Sequence, residues 1–272
     1  MSVPLTRRSL LAAPLIGCLA AAEVAILDLP AVPSDARIAY GPDPSQVADL
    51  RVPHGAGPHP VAIVIHGGYW KAAYNLDHIG HLCAALTAAG VATWSLEYRR
   101  LGNAGGGWPG TFDDIRAGAA HLANVVASHR LDMSGVVAAG HSAGGHLALW
   151  LAAEMAIPLR RVVSLAGVAD LRLAWELRLS GGIAARLLGG TPEEVPDRYR
   201  AASPIERLPI AVPQYLIHGT ADDTVPFELS ARFAKASKNA TLIPLPGAGH
   251  FELIDPRAKE WPAVRDSIAA GS

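Results

Sequence analysis

Ser142 lies at the centre of a Gly-His-Ser-Ala-Gly motif that predicts a nucleophile. The motif spans residues 140–144 and follows four small apolar residues, 136–139, which predict a buried strand. An apolar helical run comes next, so the order is strand, G-x-S-x-G, helix. Such a turn exposes the serine hydroxyl at a sheet edge, and the next helix points its N-terminal N–H groups toward it. The alternative is an ordinary tight turn between a strand and a helix.

A serine hydroxyl near neutral pH needs a base within hydrogen-bond reach, and that base needs a carboxylate to orient it. His250 lies in a loop, GAGHF, directly after the last predicted strand. A loop histidine can reach over the sheet edge, so His250 is the predicted base. His218 ends a strand and His146 lies one turn into the helix after the serine, which makes both poorer candidates. The alternative for His250 is a loop histidine bonded to backbone.

Two adjacent aspartates follow a predicted strand and are candidates for the orienting acid. Asp222 and Asp223 both lie in HGTADDTVP, and either could reach a loop histidine. Asp170, after another strand, is a third candidate. The alternative for either residue of the adjacent pair is a turn aspartate that bonds its own backbone.

The loop HGGYW, residues 66–70, follows the apolar run VAIVI and is predicted to supply an oxyanion hole. A developing oxyanion needs two or three backbone N–H donors. We expect them from Gly68 and Tyr69 in this loop and from Ala143 directly after the nucleophile. The aromatic residues Tyr69, Trp70 and Trp108 lie near the predicted site loops. Their side chains either line a substrate pocket or pack inside the protein.

The elements that must position these residues alternate between apolar strands and helices through most of the chain. Apolar runs such as 61–65 and 214–219 carry no polar alternation. This pattern predicts an α/β fold with a mostly parallel central sheet and helices on both faces. Residues 171–209 are less regular, and we expect them to form a short cap insertion over the site.

Composition narrows the possible function classes. The 272 residues are 50% hydrophobic with a net charge of −1, which suits one well-buried α/β domain. There is no basic stripe that would indicate nucleic-acid binding. His78 and His81 are three residues apart on a predicted helix without a further ligand cluster, so we interpret them as a solvated helix face. We predict no metal and no cofactor.

The N-terminus has the pattern of an export signal. Arg7 and Arg8 directly precede an apolar run that ends near residue 22, which is typical of twin-arginine export from the bacterial cytoplasm. Cleavage could follow the three alanines at 20–22, or the lipobox-like LIGC could make Cys18 a lipid anchor. We therefore predict a signal over 1–22, a linker over 23–36, and a single domain over 37–272. The protein is expected to be periplasmic or secreted, and at a membrane only if Cys18 carries lipid.

Four motifs together resemble the α/β-hydrolase superfamily: HGGYW, GHSAGGHLALW, HGTADDTVP and GAGHFELID. HGGYW is a variant of the HGGG loop of lipases and esterases. Within the superfamily, the chain resembles the esterase/lipase branch that includes kynurenine formamidase and the bacterial feruloyl and acetylxylan esterases. The resemblance implies an α/β-hydrolase fold and favours Asp222 over Asp223 as the acid.

These observations predict a serine hydrolase that cleaves small carboxylic esters through an acyl-enzyme intermediate. An arylformamidase of the N-formylkynurenine type would use the same residues. A non-catalytic binding protein with a hydrolase fold is the alternative from another class. The sequence leaves the individual substrate and the oligomeric state open.

Overall fold

The computed structural model describes residues 25–269, and its centre is one eight-stranded sheet. The strand order is β1-β2-β4-β3-β5-β6-β7-β8. The strands are β1 (Ala36–Ala39), β2 (Val47–Arg51), β3 (His59–Ile65), β4 (Ala92–Leu96), β5 (Leu131–His141), β6 (Arg161–Leu165), β7 (Gln214–Gly219) and β8 (Ala240–Leu245). From β4 to β8 every neighbouring pair is parallel, whereas β1 pairs antiparallel with β2, and β2 with β4.

Eight α-helices accompany the sheet in the described part of the chain. They are α1 (Asp77–Ala88), α2 (Gly110–His129), α3 (Ala143–Glu154), α4 (Leu171–Glu176), α5 (Ile183–Leu188), α6 (Pro196–Ala202), α7 (Glu228–Ala236) and α8 (Trp261–Ala269). The central strands are buried along their length because helices cover both faces. The predicted parallel sheet between two helical layers is therefore confirmed.

The core is divided by the sheet into two apolar clusters. One contains side chains of α2 and α3, such as Phe112 and Trp150, together with alternate residues of the strands. The other contains side chains of α1 and α8, such as Leu82 and Val264, with the remaining strand residues. Because successive strand side chains point to opposite faces, each central strand contributes to both clusters.

The stretch between β6 and β7 forms short helices, α4 to α6, joined by 3₁₀ turns. This insertion is attached to α3, since His146 and Trp150 donate to the carbonyls of Ala202 and Ala201. It also contacts the loop that precedes α2, where the backbone N–H of Trp108 donates to the Leu187 carbonyl. These contacts fix the insertion against the domain, and its role as a cap over the site stays a prediction.

Residues 25–35, which lie within the predicted linker 23–36, form several hydrogen bonds with the rest of the domain. The Arg51 side chain donates to the Val32 carbonyl at 2.7 Å, and the Val52 N–H donates to Asp35 at 2.7 Å. The ring of His81 bonds the Pro30 carbonyl at 3.0 Å. The export signal, its paired arginines and Cys18 lie outside the described residues. Within 25–269, no helix is long and apolar enough to cross a membrane.

Candidate active site

Ser142 occupies a strained turn between β5 and α3. Its φ of 56° and ψ of −118° lie where side chains with a Cβ rarely go. The Ser142 N–H donates to the Leu165 carbonyl at 2.8 Å, which attaches the turn to the end of the neighbouring strand β6. The serine is thereby held at the carboxyl edge of the sheet, near its middle.

Two glycines allow other backbone segments to approach this turn closely. A Cβ on Gly144 would lie 2.0 Å from the Ile65 carbonyl oxygen, so only glycine permits α3 to start against the end of β3. A Cβ on Gly67 would lie 3.1 Å from the Cβ of Ser142. The loop of residues 66–70 therefore passes directly beside Ser142, as the predicted oxyanion hole requires.

His250 and Asp222 form a short hydrogen bond in the described structure. The Nδ1 of His250 lies 2.6 Å from Asp222 Oδ2, and both side chains are buried. Asp223 is exposed and accepts instead from the hydroxyl of Thr224 at 3.1 Å. Asp170 caps α4 by accepting from the Leu173 N–H at 3.0 Å. Of the three candidate acids, Asp222 is the one paired with the loop histidine.

Asp222 is held ionised by four hydrogen-bond donors. Its Oδ1 accepts the N–H groups of Thr224 at 2.9 Å and Val225 at 2.8 Å. Its Oδ2 faces the Nε2 of His218 at 3.3 Å as well as His250. Burial raises the pKa of Asp222, but the hydrogen bonds from His218 and His250 outweigh it and hold this pKa well below its ordinary value. His218 therefore contacts the same carboxylate oxygen as His250 and helps to keep Asp222 ionised.

The loop that carries His250 is packed against the residue that precedes the serine. The Nε2 of His141 donates to the His250 carbonyl at 3.0 Å. The two imidazole rings lie 4.4 Å apart between centroids. Because His141 and Ser142 are consecutive, this contact brings the His250 loop to the same edge of the sheet as the serine.

The predicted oxyanion donors belong to two elements beside the serine. Ala143 is the first residue of α3, where N–H groups have no acceptor inside the helix. Gly68, Tyr69 and Trp70 all have φ between 51° and 105°, so the loop turns sharply over three residues. The Tyr69 hydroxyl donates to the Thr224 carbonyl at 2.6 Å and thereby links this loop to the loop of Asp222.

The aromatic pocket candidates differ in exposure. Trp70 is fully buried and packs edge-on against His146 at 5.2 Å, so its ring serves packing and offers no surface to a substrate. Trp108 is half-buried and packs on Phe112 at 5.0 Å. The Tyr69 side chain is also half-buried, and burial with the nearby charge of Asp222 raises its pKa to about 12.

A buried ionic cluster anchors the 66–70 loop, and sequence reasoning missed it. The Nε2 of His66 bonds Glu97 at 2.9 Å, and Arg100 pairs with the same carboxylate oxygen at 3.1 Å. The hydroxyl of Tyr98 donates to the His66 carbonyl at 2.9 Å. The signal that could have revealed this cluster is the polar run Glu97–Arg100 directly after the buried strand β4.

The interpretation of His78 as part of a solvated helix face is wrong. His78 is buried at the start of α1, and its Nε2 lies 2.8 Å from the Nδ1 of His141. His81, one turn later, is half-exposed. Helix periodicity does not reveal this difference, because His141 at the end of β5 and the distant Phe251 pack on His78. Among residues 25–269, no three His, Cys, Asp or Glu side chains are grouped as metal ligands.

Comparison with proteins of known structure shows the fold. A truncated carbohydrate esterase from gut microbiota superimposes with a TM-score of 0.74 at 23% identity, covering 88% of this chain and 96% of that one. Esterase B from Lactobacillus rhamnosis gives a TM-score of 0.71 at 22% identity, over 86% of this chain and 84% of that one. These likenesses confirm the predicted α/β-hydrolase fold.

Sequence comparison identifies relatives and a family. Esterase LipC of Mycobacterium tuberculosis is 28% identical over 244 residues, a match that covers 80% of this chain. The chain spans 60% of the length of LipC. The BD-FAE family model matches residues 48–236, which include the 66–70 loop, Ser142 and Asp222. Since this match covers more than half of the chain, the protein belongs to the BD-FAE family.

Proposed function

We propose that this protein is a serine hydrolase that cleaves carboxylic esters of small molecules with Ser142, His250 and Asp222. The observation that carries the proposal is the 2.6 Å bond between His250 and Asp222 beside the strained turn of Ser142. The likeness to LipC, which is named an esterase, supports the ester specificity.

The reaction starts with attack of the Ser142 hydroxyl oxygen on the ester carbonyl. Because Nδ1 of His250 donates to Asp222, its Nε2 is free to accept the serine proton. The ester C–O bond then breaks, and the same proton passes to the leaving alcohol. Water repeats the sequence on the acyl-enzyme, which releases the acid and restores the serine.

Charge develops at two places in this reaction, and each has a matched support. The carbonyl oxygen becomes negative beside the N–H groups proposed as donors, those of Gly68, Tyr69 and Ala143. His250 becomes an imidazolium against Asp222, whose lowered pKa keeps it ionised throughout the neutral range. The proposed chemistry needs only side chains, backbone donors and water.

Replacement of Ser142 by Ala tests the proposal. It should leave the fold intact and lower ester hydrolysis by several orders of magnitude, as removal of a triad member does. A fluorophosphonate probe should label the native protein at Ser142 and not the Ala variant. Retention of more than about a tenth of the native rate would show that the nucleophile is wrong.

Substrate panels separate the proposal from its alternatives. We expect p-nitrophenyl esters and methyl ferulate to be hydrolysed faster than N-formylkynurenine. The reverse order would identify an arylformamidase. No labelling by fluorophosphonate and no hydrolysis of any of these compounds would indicate a binding protein instead.

We also propose that the protein is exported through its twin arginines. The motivation is their position directly before the apolar run of the N-terminus. Replacement of Arg7 and Arg8 by Lys should retain the precursor in the cytoplasm. Cys18→Ser should release a lipid-anchored form from the membrane, whereas a mature native protein that is already free in solution would exclude the anchor.

A further inference from the structure

Two buried histidines that the proposed mechanism does not use form a chain of hydrogen bonds that ends at the backbone of His250, the predicted base. His78 lies in the first turn of α1, and His141 is the last residue of β5. The Nε2 of His78 is 2.8 Å from the Nδ1 of His141, and the Nε2 of His141 is 3.0 Å from the carbonyl oxygen of His250.

The positions of the protons follow from the last acceptor in the line. A carbonyl oxygen only accepts, so the Nε2 of His141 must carry a proton. In a neutral ring the Nδ1 of His141 is then a bare acceptor, and the Nε2 of His78 donates to it. The direction of donation therefore runs from His78 to His141 to the backbone of His250.

Both rings are held neutral by their surroundings. Burial, with the nearby His66 and His250, lowers the pKa of His78 to about 3. Burial, with His250 and His78, also holds the pKa of His141 well below its ordinary value. Asp222 is the acidic group near His141, and its charge opposes this shift without overcoming it.

The pair contacts both the ring and the main chain of His250. The carbonyl of His250 accepts the bond, and the imidazole of His250 packs on that of His141 at 4.4 Å. Phe251 packs on His250 from another side at 5.1 Å. Asp222 therefore fixes Nδ1 of the His250 ring, while His141 fixes the backbone from which that ring projects.

We propose that His78 and His141 are positioning residues for His250, a neutral pair that orients the base through hydrogen bonds and adds no charge beside it. This inference rests on the proposed function, in which His250 gains a proton during turnover. A charged ring at 4.4 Å would oppose that gain, whereas a neutral donor restrains the loop and leaves the proton affinity of His250 to Asp222.

Variants of His78 separate hydrogen bonding from packing. His78→Phe keeps a ring of similar size and removes the donor to His141, so the His250 loop loses its fixed support. We expect kcat to fall about tenfold with KM unchanged, since small misplacement of a catalytic group acts on turnover. His78→Gln keeps an N–H near the same position and should restore kcat to within about threefold.

His81→Phe is the matched control, because His81 lies one turn along the same helix and its ring bonds the Pro30 carbonyl instead of His141. It should leave kcat unchanged. Equal kcat in the native protein and His78→Phe would overturn the positioning role, and so would equal losses in His78→Phe and His78→Gln.

Nitrogen-15 NMR of the native protein tests the same proposal without relying on activity. At neutral pH, His78 and His141 should both be neutral with the proton on Nε2, and the Nδ1 proton of His250 should appear far downfield. That downfield signal should broaden or shift in His78→Phe and not in His81→Phe. An imidazolium or an Nδ1–H tautomer at either histidine would overturn the proposal even if ester hydrolysis is confirmed. If NMR shows the expected tautomers but the fluorophosphonate probe does not label Ser142, the proposed hydrolase function is contradicted instead.

Discussion

The two loops that flank Ser142 are anchored by opposite kinds of chemistry. The 66–70 loop is held through His66 by a buried ionic cluster, in which Glu97 bonds both His66 and Arg100. The loop of His250 is held by the neutral pair of His78 and His141. Both anchors are buried, so the difference lies in charge and not in exposure.

The difference matches the charge that each loop faces in the proposed reaction. The 66–70 loop adjoins a developing oxyanion, and in its anchor the negative charge of Glu97 is balanced by the Arg100 guanidinium. The His250 loop carries a base that becomes positive, and a cationic neighbour would lower its proton affinity. An ionic anchor is thus compatible with the 66–70 loop, whereas a neutral anchor suits the loop of His250.

The largest expected effect comes from Asp222, the acid that is paired with His250. Asp222→Asn keeps the side-chain shape but favours the wrong tautomer of His250, which in a serine protease lowers turnover by roughly 10⁴. We expect kcat/KM for a p-nitrophenyl ester to fall at least about a hundredfold. Asp223→Asn is the matched control and should stay within about tenfold, because Asp223 is exposed and bonds only Thr224 in its turn. A larger loss at Asp223 than at Asp222 would reverse the assignment.

The ionic anchor should matter most for stability. Glu97→Gln removes the one carboxylate that both His66 and Arg100 share, and leaving a buried charge unpaired costs about 3–5 kcal/mol. Urea unfolding should show this loss at neutral pH. Asp113→Asn breaks the exposed pair with Arg116 and should cost less than about 1 kcal/mol. Equal losses in the two variants would mean that the Glu97 cluster is no stronger than a surface pair.

The neutral anchor should be visible in the pH dependence of stability. The unfolded chain protonates His78 below its ordinary pKa of 6.5, whereas the folded protein resists protonation until about pH 3. The free energy of unfolding therefore falls as pH falls through this window, by up to about 1.4 kcal/mol per pH unit for each such histidine. His78→Gln should reduce this slope by that amount between about pH 6 and pH 5.

The same pH measurement separates the two anchors. Burial raises the pKa of Glu97, but His66 and Arg100 outweigh it and lower this pKa from its ordinary value of 4.5. The stabilising contribution of Glu97 is thus present above pH 4.5 and is lost only below it. Glu97→Gln should therefore not reduce the slope between about pH 6 and pH 5. A reduced slope of unfolding free energy against pH in Glu97→Gln, or an unchanged slope in His78→Gln, would contradict the proposed difference between the two anchors.

The sequence was sufficient for the features that depend on local pattern. Small apolar runs followed by Gly-Gly or Gly-x-Ser-x-Gly predict strands that end at a sheet edge, and the structure has β3 and β5 ending there. Adjacent aspartates were harder, because Asp222 and Asp223 share one turn and differ only in direction. The residues alone left that choice open, and only the family resemblance favoured Asp222.

The sequence was insufficient where burial depends on distant segments. His78 is buried and His81 is not, and His141 and Phe251, which pack on His78, lie more than sixty positions away in the sequence. Glu97 follows a buried strand, but its partner His66 lies on another strand's end, thirty-one residues earlier. The linker over 23–36 stays a prediction, and the bond from the Arg51 side chain to the Val32 carbonyl could not be foreseen, because Arg51 lies nineteen residues later in the chain.

The smallest expected effect concerns the hydrogen bond that joins the 66–70 loop to the loop of Asp222. The Tyr69 hydroxyl in the first loop donates to the Thr224 carbonyl at 2.6 Å, and the Thr224 N–H in turn bonds Asp222. Tyr69→Phe keeps the backbone N–H and the ring, so only this connection is lost. Because the Tyr69 side chain is half-buried, water can replace the donor, and we expect a loss of about 1 kcal/mol in stability and a fall in kcat of less than tenfold.

Tyr199→Phe is the matched control for that link, since its hydroxyl bonds the Gly190 carbonyl inside the insertion at 3.3 Å. Both variants remove one tyrosine–carbonyl hydrogen bond, so urea unfolding should show similar losses of about 1 kcal/mol. Only the Tyr69 hydroxyl is linked to Asp222, through Thr224, so only Tyr69→Phe should lower kcat. This effect on kcat should vanish in an Asp222→Asn background, where the acid no longer orients His250. Equal kcat values for the two tyrosine variants would mean that the 66–70 loop and the loop of Asp222 act independently in catalysis.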